Sequence, residues 1–320
     1  MNHDFHTDAH VPLPALAHGR ACRCALHSRR WFTGGLLAAG VAGPALAQQP
    51  GTAEGVQSDV GKQSRFTKFA PADQVEAAAA QQYLQMTQGA AQKRALAPND
   101  HPQVVRLRSI AQRIIPHALP WNPRARQWKW EVNLIGDPQL NAFCMPGGKI
   151  AFYHGILATL QLTDDEVATI MGHEVAHALR EHARERIGKT MATRVGANLV
   201  SSLFGLGQLG DSLLQMGGQL LTLQFSREDE TEADIVGMDL AARAGYDPRA
   251  GVSLWTKMMS ANKGAPPQFL STHPSGPTRI KDIEGKLPKV MPLYERAEKP
   301  RQVFGPPPKP AASASAAKGG

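Results

Sequence analysis

The residues of this chain that are best suited to chemistry form one short segment, His173-Glu174-Val175-Ala176-His177. Histidines four residues apart lie on the same face of an α-helix, one turn from each other, so their imidazoles can converge on one metal ion. Glu174 follows the first histidine directly, where its carboxylate can take a proton from a water molecule at the metal instead of binding the metal. The spacing therefore predicts His173 and His177 as metal ligands and Glu174 as a general base.

A third protein ligand is expected, because catalytic zinc usually has three protein ligands and one open position. In the metzincin arrangement this ligand is a histidine six residues after the second histidine of the motif. A glycine lies three residues after that same second histidine. Here those positions hold Ala183 and Arg180, so that arrangement is excluded. The remaining arrangement takes a glutamate from a later helix, with an aspartate one turn further on.

The acidic segment 226–234 supplies such a glutamate. Glu230 and Asp234 are four residues apart on one helical face, so Glu230 can bind the metal while Asp234 orients a histidine ligand. Glu228 and Glu232 are rivals in the same run, and acidic runs are often solvated helix faces. We favour Glu230 because it alone among the three has an aspartate four residues further on.

The elements that must position these residues can also be predicted. Thr163-Asp164-Asp165-Glu166 has the pattern of a capping box at a helix start. The apolar residues that follow at helical spacing predict a buried helix, whereas the alternative is a surface helix with two solvated histidines. Helices are further predicted over 73–95 and 102–116, and strands over 128–135 and 149–153 with a turn at 146–148 between them.

Residues 100–285 resemble the HtpX-like gluzincin zinc metallopeptidases, a family that includes the CAAX prenyl endopeptidases and the periplasmic protease-chaperone BepA. The resemblance is carried by five blocks in the same order: Asn141-Ala142-Phe143 with Pro146-Gly147-Gly148, His173-Glu174-x-x-His177, Ser226-Arg227-x-x-Glu230-x-x-Ala233-Asp234, Gly245-Tyr246-Asp247-Pro248, and Thr272-His273-Pro274 followed by Arg279.

This resemblance implies an α+β, mainly α-helical domain with a small β-sheet beside a zinc cleft. It implies one zinc ion per chain, bound by His173, His177 and Glu230, with Glu174 as the base. It also implies that the strand over 149–153 is an edge strand beside the cleft, to which a substrate peptide could add as a further strand.

Two further residues enter through the resemblance. In similar proteins a histidine at the position of His273 lies beside the zinc, so His273 is expected either to cap the open position or to stabilise the oxyanion. Arg279 resembles an arginine that pairs with carboxylates near the site. An ordinary surface position is the alternative for each of them. His154 and His182 do not fit the ligand pattern and are not assigned to the site.

Composition sets limits on function. The chain has 320 residues, 42% of them hydrophobic, which is enough for a substantial core and one or two domains. Its formal net charge is +8, but the basic residues are dispersed along the sequence. Nucleic-acid-binding surfaces concentrate such charge on one face or one helix. No nucleic-acid partner is therefore predicted, while weak attraction to anionic membrane surfaces is left open.

The N-terminus has the pattern of an export signal. Ser28-Arg29-Arg30-Trp31-Phe32 precedes an apolar run over 34–42, and Ala45-Leu46-Ala47 has the form of a cleavage site. We expect a cleavable signal over 1–47, resembling a twin-arginine signal, with an ordinary secretory signal as the alternative. A periplasmic location follows from either. The cleaved chain would retain Cys144 as its one cysteine, which excludes an internal disulfide.

The rest of the chain divides by composition. We expect a linker and an N-terminal helix over 48–98, the metallopeptidase domain over 99–290, and a Pro/Ala-rich disordered tail over 291–320. The segment 195–223 matches the position of membrane-spanning helices in some similar proteins. Its glycines and polar residues make it too broken to span a membrane, so it is predicted to be an apolar lid with possible peripheral membrane contact, or a buried helix pair.

The sequence as a whole predicts a zinc metalloendopeptidase that hydrolyses misfolded or unassembled cell-envelope proteins, with polypeptides as its partners. One alternative is a latent protease that acts mainly as a chaperone or scaffold, its zinc site capped by His273. Another is a metal-binding structural module without turnover. The sequence does not determine the oligomeric state.

Overall fold

A computed structural model describes residues 55–202, 220, 223–261, 268–274 and 278–309. The predicted export signal over 1–47 lies outside these residues, as do the last eleven residues of the predicted tail and most of the segment 195–223.

Helices dominate the described residues, and three short strands form a single sheet. This confirms the predicted α+β, mainly helical fold. The helices are α1 (Ala72–Gln92), α2 (Pro102–Ile114), α3 (His154–Thr159), α4 (Asp164–Leu179), α5 (His182–Ser202), α6 (Arg227–Arg243), α7 (Ala250–Ala261), α8 (Gln268–Thr272) and α9 (Arg279–Arg296). The strands are β1 (Glu131–Ile135), β2 (Ala142–Met145) and β3 (Lys149–Tyr153).

The sheet has the order β1-β3-β2, with β3 parallel to β1 and antiparallel to β2. The expectation that residues 149–153 form an edge strand is therefore wrong, because β3 is central and β2 lies at the edge. The cause is the turn between them: Gly147 and Gly148 have φ angles of +83° and +78°, which favour glycine. This turn folds residues 142–145 back along β3 and covers the edge that β3 would otherwise expose.

Helix α4 carries the histidine motif and is firmly anchored at its N-terminus. The predicted capping box is present, since the Glu166 backbone N–H donates to the Thr163 hydroxyl and the Thr163 N–H donates to the Glu166 carboxylate. Fully buried Arg106 on α2 donates to Asp164 over 2.7 Å and to the Leu162 carbonyl over 2.7 Å. Nearly all of α4 is buried, so its histidines face the interior and not solvent.

Helices α4 and α6 approach closely through two glycines. A Cβ atom on Gly172 would lie 2.6 Å from the Gly237 carbonyl oxygen, and one on Gly237 would lie 2.7 Å from the His173 backbone nitrogen. Any larger residue would push the helices apart, because real Cβ atoms do not approach other atoms so closely. This contact brings the histidines of α4 within reach of the carboxylates of α6.

The chain segments on both sides of the domain are more ordered than their composition predicts. In the predicted linker, residues 55–70 pack against α5, where Arg184 donates to the carbonyls of Ala70 and Thr67. In the predicted tail, α9 continues to Arg296, and the backbone N–H of Phe304 donates to Asp164 over 2.8 Å. Hydrogen bonds to Arg184 and Asp164 hold these segments against the domain, and composition does not reveal them.

The described helices include none with the length and apolar character needed to cross a membrane. Residues 203–219 and 221–222 of the predicted lid over 195–223 lie outside the described residues.

Candidate active site

The predicted metal ligands lie together in the core of the domain. Nε2 of His177 is 3.0 Å from Nε2 of His173. The Glu230 carboxylate contributes one oxygen 3.5 Å from His173 Nε2 and the other 3.4 Å from His177 Nε2. Each of the three residues is about 97% buried. Two helices, α4 and α6, therefore direct two imidazole nitrogens and one carboxylate at a common point.

This donor set fits a zinc ion. Imidazole and carboxylate are two of the ligand types that zinc takes in proteins, and ligands about 2.0–2.1 Å from a tetrahedral zinc are about 3.3 Å from one another. The three distances between the ligand atoms, 3.0, 3.4 and 3.5 Å, bracket that separation.

His273 joins the same cluster. Its Nδ1 lies 2.9 Å from a Glu230 oxygen and 3.3 Å from His173 Nε2, and its ring is 2% exposed. The four residues His173, His177, Glu230 and His273 can each offer a ligand atom within 4.8 Å of the others. Its position before Pro274, just after α8, thus brings a fourth donor to the side of the cluster that three ligands would leave open.

Glu174 lies beside the cluster without being part of it. One of its carboxylate oxygens, Oε1, has no hydrogen-bond partner among the described residues and lies 3.5 Å from His273 Nε2. Burial raises the pKa of Glu174, and positive charge on His273 and His173 offsets only part of that rise. A buried carboxylate with a free oxygen and a raised pKa is suited to accepting a proton.

Asp234 and Arg279 form a layer behind His173. The Asp234 carboxylate lies 2.9 Å from His173 Nδ1 and accepts two hydrogen bonds of 2.7 Å from Arg279. Arg279 also donates to Glu230 over 2.9 Å, and its guanidinium stacks 3.5 Å above the Trp255 ring. The residues assigned from the sequence thus meet in one place.

Charge in this layer favours a cation at the site. Burial lowers the pKa of His173, but hydrogen bonds with Asp234 and Glu230 outweigh it and raise that pKa to about 9. Burial raises the pKa of Glu230, but the surrounding histidines outweigh burial and hold the pKa of its carboxyl far below the usual range. A metal ion would replace the proton on His173, because it binds the neutral imidazole.

Behind His177 lies a second group of residues that the sequence analysis did not assign. Nδ1 of His182 is 2.9 Å from Nδ1 of His177, and Nε2 of His182 is 2.8 Å from the Glu232 carboxylate. The other Glu232 oxygen pairs with Arg180 over 2.9 Å. The signal that could have identified them was the five-residue interval between His177 and His182, but it depends on a tight turn after α4.

That turn is where the helical pattern ends. Glu181, between the two helices, has a φ angle of +61°, in the left-handed region in which α-helices commonly end. His182 is the first residue of α5 and is 99% buried. Glu232 was rejected as a ligand because it lacks an aspartate four residues on, and it indeed does not contact the cluster.

A cleft opens beside the cluster on the side of β2. Phe225 stacks on the His177 ring with centroids 4.0 Å apart, and its backbone N–H donates to the Thr272 carbonyl. The sequence analysis did not assign Phe225, since a single aromatic before a helix carries no signal. The cleft is bounded by Glu174 and His177 and by apolar side chains of Phe143, Met145, Leu220, Leu223 and Phe225.

Comparison with known proteins identifies this arrangement. Residues 103–287, more than half of the chain, match peptidase family M48. The chain belongs to this family. The matched residues contain the whole ligand cluster, so the domain is a zinc metallopeptidase domain.

Individual relatives agree. The chain is 37% identical over 204 residues to mitochondrial metalloendopeptidase OMA1 of Schizosaccharomyces pombe, covering 63% of this chain and 58% of that protein. It is 41% identical over 152 residues to OMA1 of Arabidopsis thaliana, covering 48% of this chain and 30% of that protein. It is 28% identical over 197 residues to metalloprotease LoiP of Escherichia coli, covering 61% and 75%. The chain thus spans well under two thirds of the length of the OMA1 proteins it matches.

These relatives contradict the predicted periplasmic location, because the two with the higher identities are mitochondrial proteins. The prediction relied on an arginine-containing, apolar N-terminal segment. Such segments do not discriminate well, since organelle transit peptides are also rich in arginine and poor in acidic residues. The segment itself lies outside the described residues.

Proposed function

We propose that this chain is a zinc-dependent endopeptidase in which His173, His177 and Glu230 bind the metal and Glu174 is the general base. The observation that carries the proposal is the convergence of three buried ligand atoms, 3.0 to 3.5 Å apart, beside a buried carboxylate with a free oxygen. We also propose that, within family M48, the chain is most similar in its site to the HtpX-like and CAAX prenyl endopeptidases.

The chemistry divides between the metal and Glu174. Zinc in such a site would act as a Lewis acid that polarises the scissile carbonyl and acidifies water. Glu174 takes a proton from the attacking water at its free Oε1 and then delivers it to the leaving amine. Its raised pKa suits both steps, because a carboxylate of higher proton affinity accepts a proton more readily near neutral pH.

The test is the substitution Glu174→Gln. The variant should retain one zinc per chain, because Glu174 is not a ligand, and should lose about 100-fold or more of the rate of casein cleavage. Glu228→Gln is the matched control, because it removes the same charge at an exposed position on α6. Cleavage by the Glu174 variant at the parental rate would refute the mechanism.

We further propose that the substrates are misfolded or unassembled polypeptides. Strand β2 borders the cleft at the edge of the sheet, and an extended peptide can add to such an edge through backbone hydrogen bonds. The apolar lining of the cleft suits the apolar side chains that unfolded proteins expose. Folded proteins offer neither an extended backbone nor such side chains.

The substrate proposal is tested with one polypeptide in two states. Native α-lactalbumin and its reduced, carboxymethylated form have the same sequence, but only the second is unfolded. We expect the unfolded form to be cleaved at least tenfold faster. Equal rates would contradict selection of unfolded chains while leaving the metal chemistry intact.

A second candidate is a latent protease that works mainly as a chaperone or scaffold. What favours it is the contact of His273 with the ligand cluster, 2.9 Å from Glu230 and 3.3 Å from His173. In this position His273 can occupy the ligand site that a substrate carbonyl needs. In an active protease the same residue would have to move, or to donate to the oxyanion.

The substitution His273→Ala distinguishes these roles. If His273 caps the site, the variant should cleave casein faster than the parent. If His273 stabilises the oxyanion, its cleavage should be slower by about 100-fold. A parent that suppresses aggregation of an unfolded protein, with neither parent nor variant cleaving it, would instead favour the chaperone.

A further inference from the structure

The side chains behind His177 form a continuous hydrogen-bonded series from the metal cluster towards the protein surface. It runs from His177 to His182, then to Glu232 and Arg180, over successive distances of 2.9, 2.8 and 2.9 Å. His177 and His182 are 97% and 99% buried. Both rings are therefore shielded from water.

The protons in this series can be assigned from its far end. An ionised carboxylate only accepts hydrogen bonds, so the contact with Glu232 requires a proton on Nε2 of His182. A His182 ring with this single proton has a lone pair on Nδ1, 2.9 Å from Nδ1 of His177, where it accepts from Nδ1–H of His177. That assignment leaves the lone pair of His177 on Nε2, the atom that faces His173 and Glu230.

A second partner fixes the position of Glu232. Its other carboxylate oxygen pairs with Arg180 over 2.9 Å. Arg180 is in turn held in place, because it donates to the Gly61 carbonyl over 2.6 Å. Glu232 is therefore an acceptor in a defined position.

We infer that His182 and Glu232 are positioning residues that hold His177 in the tautomer and orientation required of a metal ligand. This inference rests on the proposed role of His177 as a ligand. A histidine ligand commonly donates its second ring N–H to a carboxylate, and loss of that partner lowers metal affinity about 10- to 100-fold. In this protein the carboxylate acts through an intervening imidazole.

The first test measures zinc affinity directly. The full chain and its Glu232→Ala variant are titrated with zinc in competition with a chromogenic chelator. We expect the variant to bind zinc about tenfold more weakly. Glu228→Ala is the matched control, with the same charge change on an exposed position of the same helix, and should stay within twofold of the parent.

A second pair of variants tests the contact itself. His182→Gln keeps one acceptor for His177 and one donor for Glu232, whereas His182→Leu keeps neither. The glutamine variant should retain most of the zinc affinity, and the leucine variant should lose at least as much as Glu232→Ala. The visible absorption of the cobalt-substituted proteins should shift in the leucine variant, because the ligand geometry changes.

Two outcomes separate this inference from the proposed function. If Glu232→Ala and His182→Leu bind zinc as tightly as the parent and give its cobalt spectrum, the inference is overturned, whatever the protease activity. If the parent binds zinc with the expected dependence on these residues but cleaves no protein, the proposed function fails and the positioning role stands. Circular dichroism and urea unfolding establish that each variant is folded.

Discussion

The two histidines of the motif are supported in different ways. His173 contacts the carboxylate of Asp234 directly, and Arg279 locks that carboxylate with two hydrogen bonds. His177 reaches its carboxylate, Glu232, only through His182. The Asp234 side chain is 12% exposed and that of Glu232 is 23% exposed. We call these groups the inner support and the outer support.

The difference follows from where each histidine lies on α4. His173 lies where α4 and α6 touch through Gly172 and Gly237, so a short aspartate of α6 reaches it. His177 is one turn further along, near the end of α4. The turn after α4 supplies His182 as a spacer, and a longer glutamate completes the link.

Arginine removal should expose this difference most strongly. Arg279→Met takes the arginine from the buried carboxylates of Asp234 and Glu230, which keep only histidine partners, and we expect the free energy of unfolding to fall by about 3–5 kcal/mol. Arg180→Met removes one of the two partners of the partly exposed Glu232 and leaves His182, so a loss of about 1.5 kcal/mol is expected. Urea unfolding of both variants in the presence of a metal chelator measures the two losses. Equal losses would remove the distinction between the supports.

Removal of the inner carboxylate should weaken metal binding the most. Asp234→Ala takes away the partner that fixes the tautomer of His173, and we expect about 100-fold weaker zinc binding, the upper end for such contacts. The matched control is Asp282→Ala, at an exposed position on α9. Competition with a chelator gives both affinities. A loss smaller than that of Glu232→Ala would reverse the ranking of the two supports.

The outer support should end at Arg180. Residues 55–70 are held further along by Asp59, which pairs with Lys286 and Lys289. We expect Asp59→Asn to lower the free energy of unfolding by about 0.5–1 kcal/mol at pH 7 without changing zinc affinity, since these ion pairs are partly exposed. Zinc affinity that falls together with stability would extend the support into this segment.

The ion pairs of Asp59 with Lys286 and Lys289 make the free energy of unfolding depend on pH, and the sign of this dependence can be predicted. Hydrogen bonds from Lys289 and Lys286 lower the pKa of Asp59 in the folded protein. Its stabilising contribution is thus fully present above its unfolded pKa, about 3.9, and is lost as the pH falls through the folded pKa. The difference between parent and Asp59→Asn in urea unfolding should shrink below about pH 4. A difference that grows on acidification would contradict the ion pair.

Finally, the two supports should act independently. Among the described residues they share no hydrogen-bond partner, and they contact different histidine ligands. In a double-mutant cycle of Glu232→Ala and Asp234→Ala, the losses in zinc-binding free energy should add to within about 0.5 kcal/mol. A larger coupling energy would mean that the ligands respond as one unit.

Much of this site could be predicted from the sequence because it depends on spacing within single helices. The interval of four residues places His173 and His177 on one face of α4, and the same interval pairs Glu230 with Asp234 on α6. The capping box at Thr163 and Glu166 is equally local, and it is present. The predicted fold class was confirmed, and residues 103–287 match peptidase family M48. The roles assigned to single residues stay predictions until the variants are measured.

Other features were decided only by the tertiary structure. The edge position of β2 depends on how the turn at Gly147 and Gly148 folds one strand onto another, and β3 was wrongly expected there. The contact of Gly172 with Gly237 is invisible in either helix alone, although it sets the distance between the ligands. The backbone N–H groups of Phe304 and Gly305 likewise donate to a partner distant in the chain, Asp164.

The outer support shows why some features could be predicted from the sequence and others depended on the tertiary structure. His182 and Glu232 are fifty residues apart, and neither belongs to a regular interval that includes the ligands. Helical periodicity determines which residues share a face, and it can be read from the sequence. Which faces meet, and which side chain crosses a turn to reach another helix, depends on packing among elements distant in the chain.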